Sequence, residues 1–395
     1  MIFTQDATRR GLLRYPAVLA LLCLIGLDSF RSDRCFADEP RTSRGPSSRG
    51  PGLVEFRVGP DLRRGIPIMD FSSEMIVLGR DGQLHTLAGR EKATVREIDA
   101  KYQPATIVEM RGRLRSEFGR DFEVLSTNHF LVVQPRGRGK RWPDLFERCH
   151  RSFISYMSRR GINIRRGRFP MVAIVMPDAA AMYDELRRMD IRASRVAGIY
   201  ARESNRVITH DGGHSQFIAA TVRHEAAHQS AYNYNVHSRI VITPRWVTEG
   251  IGQMFEPENM IDGGSGMTYR DRVNQDSLDQ LRSRFKIAGS RNAIRRVSRN
   301  GSRQDFAVAV RDLVGSNGMF ENPKTTGDAY AVSWAMMFYL AERKPKQFAA
   351  VLGGTSRRGT YQPYDRFARL RDFERWIESD IDTFAAKVEW FLKSL

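Results

Sequence analysis

A chain of 395 residues with 41% apolar and 27% charged side chains has the composition of a folded protein, long enough for two or three structural units. Its net charge of +18 is carried mainly by arginine, 54 Arg against 9 Lys. No basic helix interleaved with aromatics and no nucleic-acid motif accompanies that charge, so nucleic acid is not an expected partner, whereas an anionic polymer remains open.

The first segment reads as an export signal. Arg9, Arg10 and Arg14 precede the apolar run "PAVLALLCLIGL", which is short for a membrane span, and Ala37 closes a small-residue cleavage site before Asp38. "TRRGLLR" resembles a twin-arginine signal, and ordinary export is the other route. Cleavage there removes Cys23 and Cys35, so the mature chain keeps only Cys149 and forms no internal disulfide. The expected location is periplasmic, cell-surface or extracellular, with no membrane span in the mature body.

Residues 38–52, rich in Pro, Gly, Ser and Arg, read as a flexible linker. Residues 53–118 read as a small β-rich accessory unit, with a hairpin turning at Asp81-Gly82 and with His85 as a surface residue. From residue 119 the pattern changes. "FEVLSTNHFLVVQP" reads as strand, "PDLFERCHRSFISYMSRRG" as an amphipathic helix ended by Gly161, and "FPMVAIVMP" as a buried strand. "DAAAMYDELRRM" is a helix capped by Asp178, and "VAGIYARESNRVITH" a further strand or hairpin. His129, His150 and His237 stand alone and read as surface or hydrogen-bonded histidines. "HDGGH" places His210 and His214 in a loop, a polar turn by default and a second metal site as the alternative. Beyond residue 270 the chain is mainly helical, which makes the fold class α+β.

"TVRHEAAHQSAYN" (221–233) carries the chemistry. Phe217, Thr221, His224 and His228 share one helix face, with Ser215 to cap its start and Asn233 or Asn235 to end it. Two histidines one turn apart can reach a single Zn²⁺, and Glu225 beside the first can face a water there. By composition, H-E-x-x-H arises by chance in roughly one such chain in a hundred. A hydrolytic zinc site needs a third protein ligand. "TPRWVTEGIGQMFE" (243–256) starts a second helix at Thr243-Pro244 and offers Glu249; the alternative is an exposed helical Glu.

H-E-x-x-H followed by W-x-x-E-G, and then by a Glu seven positions after Glu249, resembles the gluzincin clan. It is closest to the peptidase-MA-like zinc metallopeptidases, in particular uncharacterised secreted bacterial members. The resemblance covers about residues 120–345. It implies one Zn²⁺ per chain held by His224, His228 and Glu249, with Glu225 as general base. It also implies a zincin-like lobe, residues 119–270, with a mixed sheet over the active-site helix, and a helical lobe, residues 271–395.

Two departures bear on this. The segment that binds a free amino terminus in M1 aminopeptidases is absent, so exopeptidase action is not expected. Where thermolysin-like enzymes carry an Asp four residues after the ligand Glu, this chain has Gln253, whose amide oxygen or the carboxylate of Glu256 would support an imidazole. "GDAYAVSWAMMFYL" (327–340) resembles the downstream Tyr-containing helix of the group. That offers Tyr330 as an oxyanion donor, or, with Trp334 and Phe338, as part of a packing stripe. The function so implied is hydrolysis of a polypeptide substrate by an exported zinc metallopeptidase. The rival is an inactive envelope protein that keeps the fold to bind polypeptide or anionic polymer.

Overall fold

The computed structural model describes residues 52–213, 215–261, 267–287, 306–360 and 362–395, without the side chain of Ser215. The signal segment, nearly all of the linker, His214 and the Ser215 cap therefore lie outside the described residues. The fold is α+β, with two sheets on the N-terminal side and a helical C-terminal region. No helix among the described residues is long and apolar enough to cross a membrane.

The first sheet holds β1 (Leu53–Val58), β2 (Asp61–Asp70), β3 (Glu74–Gly79), β4 (Leu84–Ala88) and β5 (Arg96–Ile98), in the order β4-β3-β2-β1-β5, with a one-turn helix α1 (Arg90–Ala93) before β5. Every pairing in it is antiparallel. The Asp81-Gly82 turn forms as its residues require, with Gly82 at φ 84° and the Asp81 carboxylate accepting from the Gln83 amide. His85 is not on the surface. Strand β4 places it within the sheet at 6% exposure, its ring 5.2 Å from that of Phe56, and burial followed by the nearby Arg63 charge pushes its pKa down to about 4. Both His85 and its neighbour Leu84 are covered, so the two faces of β4 are buried at this point.

Helix α2 (Ile107–Phe118) opens on a capping box between Thr106 and Glu109. It packs through Met110 and Leu114 onto the second sheet. That sheet is mixed: β6 (Phe122–Ser126), β7 (Phe130–Pro135), β8 (Met171–Met176), β9 (Gly198–Ala201) and β10 (Arg206–His210), in the order β6-β7-β8-β10-β9. The pairs β7–β8 and β8–β10 are parallel, while edge strands β6 and β9 pair antiparallel. Both faces of the central strands are covered, which is why they read as unbroken apolar runs. Phe130 and Val132 face α3 (Arg141–Ser158); Leu131 and Val133 face α2 and α4 (Ala179–Arg188), the latter capped by Asp178 as its sequence requires.

Helix α5 (Ser215–Asn233) lies on the α3 side of this sheet, contributing Ile218, Val222 and Ala226 to the core there. From its far side begins the helical region: α6 (Arg245–Phe255), α7 (Gln275–Phe285), α8 (Phe306–Gly315), α9 (Gly318–Glu321), α10 (Thr326–Arg343), α11 (Pro345–Ser356), α12 (Arg366–Ile377) and α13 (Ile381–Lys393). All eleven residues of α6 are buried, because it runs between α5 and α10. Gly250 permits that approach: a Cβ there would sit 2.5 Å from Met337 Cγ and 2.7 Å from Ser333 O.

Candidate metal centre

Helices α5 and α6 bring His224, His228 and Glu249 together, one ligand-type atom from each lying within 4.8 Å of the others. All three residues are buried, at 0%, 7% and 4% exposure. The edge-on imidazoles, ring centroids 4.6 Å apart, present Nε2 toward Glu249 Oε2 at 3.4 Å from His224 and 3.7 Å from His228. His224 Nε2 and Glu249 Oε2 make no hydrogen bond although fully buried. Buried polar atoms left this way call for a missing partner. Three convergent lone-pair donors, two nitrogen and one oxygen, form a donor set that suits a divalent metal ion. The residues present thus fit a metal ion.

Electrostatics point the same way. Burial would push the His224 imidazole down, but the carboxylates of Glu249, Glu256 and Glu225 outweigh it and hold the ring well above its ordinary range. Burial would likewise raise Glu249, yet His224, His228 and the Arg245 guanidinium hold it below the usual carboxylate range. Carboxylates thus surround a buried imidazole, an environment that favours a positive charge at this point.

His224 is held from behind. Its Nδ1–H donates to Glu256 Oε1 at 2.8 Å, which leaves the Nε2 lone pair directed at the cluster. Gln253 does not take this role: its Nε2 donates to Glu256 Oε1 at 2.7 Å, and its Oε1 accepts from Ser277 Oγ and Asn274 Nδ2. Asn274, at the start of α7, also donates to Glu256 Oε2 at 2.9 Å. The ring of His224 lies directly against Gly252: a Cβ there would come within 2.4 Å of its Nε2. Neither Asn274 nor Gly252 was singled out by its sequence; Asn274 carries a cap signal in "NQDS", and Gly252 carries no local signal at all.

Glu225 is 1% exposed, and its Oε2 accepts the backbone N–H of Tyr200 in β9 at 2.8 Å. The sheet's edge strand therefore fixes the carboxylate beside the first histidine. Tyr330 lies in the second turn of α10, 5% exposed, edge-on to Phe320 at 5.3 Å. The Arg245 guanidinium lies over the same Phe320 ring at 4.8 Å, and its Nε approaches Glu249 Oε1 at 3.8 Å. Tyr330 is thus joined to the cluster through one aromatic ring and one arginine.

The other described histidines supply no atom to this cluster. His129 Nδ1 bonds Glu147 at 2.7 Å and His150 Nδ1 bonds Ser230 Oγ at 3.0 Å, both hydrogen-bonded as expected. His210 accepts from the Gly212 amide, and His214, its partner in the alternative of a second metal site, lies outside the described residues. His237 departs from expectation: it is 2% exposed and neither ring nitrogen has a hydrogen-bond partner.

Residues 218–362 match the profile of a family described as a protein of unknown function, DUF1570. The matched stretch begins within α5 and extends past α11, so it takes in His224, Glu225, His228, Glu249 and Tyr330. A search of curated proteins finds no match to this chain.

Proposed function

We propose that this chain is an exported zinc-dependent metallopeptidase acting on polypeptide. The observation that carries the reading is the buried His224–His228–Glu249 cluster with Glu225 fixed beside it by the Tyr200 amide. A purely structural site has no need of that carboxylate. Zinc held by the three ligands would supply Lewis acidity and lower the pKa of a water toward about 7. Glu225 accepts the proton of the attacking water and returns it to the leaving amine. Tyr330 is the proposed hydrogen-bond donor to the developing oxyanion. The three ligand side chains are buried between α5 and α6, where a lowered dielectric strengthens each of these interactions.

The test is digestion of a proteome-derived peptide library by wild type and Glu225→Gln. Gln nearly matches Glu in size but cannot accept and return a proton, so the variant should keep zinc and fold while cleavage falls by about 10²–10⁴-fold. Zinc bound by both proteins with no cleavage by either would overturn the peptidase reading and favour an inactive binding protein on the same fold.

A further inference from the structure

The two histidines of the cluster are supported unequally. His224 Nδ1 is held by Glu256, whereas His228 Nδ1 is buried and makes no hydrogen bond. A ligating histidine almost always donates its outer N–H to an acceptor, which fixes both tautomer and ring orientation. Among the described residues, His237 is likewise buried with both ring nitrogens outside any hydrogen bond. After α5 the chain turns back through Asn235, at φ 68°, and the amides of Val236 and His237 both bond Ala231 O, at 2.9 and 3.0 Å. That turn lays the His237 ring against Tyr232, centroids 5.2 Å apart, and Tyr232 stands one helical turn beyond His228. His237 is within electrostatic reach of His228. A neutral imidazole offers one acceptor nitrogen, and a buried water needs at least two polar partners.

We infer that His237 is the positioning residue for His228: one bridging water accepts the Nδ1–H of His228 and donates to the acceptor nitrogen of His237, so that Nε2 of His228 stays aimed at the metal. The inference rests on the metal-binding reading of the cluster and not on peptidase activity. It gives each ligating histidine its own support: a carboxylate behind His224, and a water-linked imidazole behind His228.

The experiment is a zinc competition titration against a chromophoric chelator, with wild type, His237→Ala and His237→Gln, accompanied by Co²⁺ absorption spectra. His237→Ala should bind zinc about 10–100-fold more weakly and shift the Co²⁺ bands. His237→Gln, which keeps an acceptor oxygen, should recover most of both. Wild-type affinity in His237→Ala, or a Gln variant no better than Ala, would overturn the inference. If neither variant folds, ¹⁵N imidazole spectra of the wild-type zinc protein decide: a His228 Nδ1–H protected from exchange supports the link, and a rapidly exchanging one overturns it. A wild type that binds no zinc would remove the metal reading itself, a result separable from all of these.

Discussion

Gly252→Ala is the sharpest test of how α6 serves the cluster. The added methyl carbon would sit 2.4 Å from His224 Nε2, 2.5 Å from Cε1 and 2.8 Å from Cδ2. Atoms at rest approach to about 3.5–4.0 Å, so the ring or the helix must shift by about 1 Å. The ring has no room to retreat: it is fully buried and its Nδ1 is held by Glu256 at 2.8 Å. Replacing a helical Gly by Ala favours the helix by about 1 kcal/mol, whereas overpacking costs about 1–3 kcal/mol. The clash therefore wins narrowly in stability and decisively in ligand geometry. Zinc affinity should fall by at least about 10–100-fold, as when a support of a ligand is removed, while urea unfolding of the metal-free protein changes little. Gly250→Ala is the contrast, because its Cβ would strike α10 and leave His224 alone; it should cost stability more than affinity. A Gly252→Ala protein that is stabilised and binds zinc like wild type would refute the reasoning.

Metal analysis of the wild type should find one zinc per chain, falling sharply in His224→Ala or Glu249→Ala; stoichiometric zinc in the His224→Ala, His228→Ala double variant would remove the ligand assignment. Glu256→Ala should weaken zinc binding by about 10–100-fold and Gln253→Ala by less, since only Glu256 touches an imidazole. Burial, with the His129 charge second, lowers the His150 pKa to about 3. The unfolded chain, with histidine near 6.5, then takes up the proton first as pH falls, so the stability from neutral His150 is complete above pH 6.5. It is lost toward pH 3 at about 1.4 kcal/mol per pH unit. Urea denaturation of His150→Asn should show a shallower loss between pH 6.5 and 4.5, and equal slopes would contradict this. Intact mass of the exported protein should place its first residue at Asp38.

What the sequence made legible was local. A 3.6-residue stripe put both histidines on one face, Asp178 before an apolar run marked the cap of α4, and the apolar strand "MVAIVM" declared burial on both faces. What it hid depends on segments distant in the chain. The choice of Glu256 over Gln253 is made by Asn274 and Ser277 of α7, which engage the Gln253 amide. On α6 alone both residues share the face of Glu249 and cannot be told apart. His237 read as a surface or hydrogen-bonded residue because nothing beside it shows that the turn at Asn235 lays its ring against Tyr232 of α5. The placement of α2 was within reach: Thr106 and Glu109 spell a capping box, and the helix it starts buries Met110 and Leu114 on the second sheet, beyond the β-rich unit.

Glu256 ends α6, yet it touches far more than its own helix. Its backbone oxygen takes Arg223 of α5, and its carboxylate takes His224, Gln253 and Asn274. Three helices are thereby tied at one residue behind ligands that are at most 7% exposed. An ion in such a seat is guarded by a door as well as held by affinity. Its escape waits on a local opening of the knot, so its residence time follows the breathing of α5, α6 and α7. Chelators would then strip the protein at a rate set by that motion and insensitive to chelator concentration, a behaviour that equilibrium binding constants do not reveal.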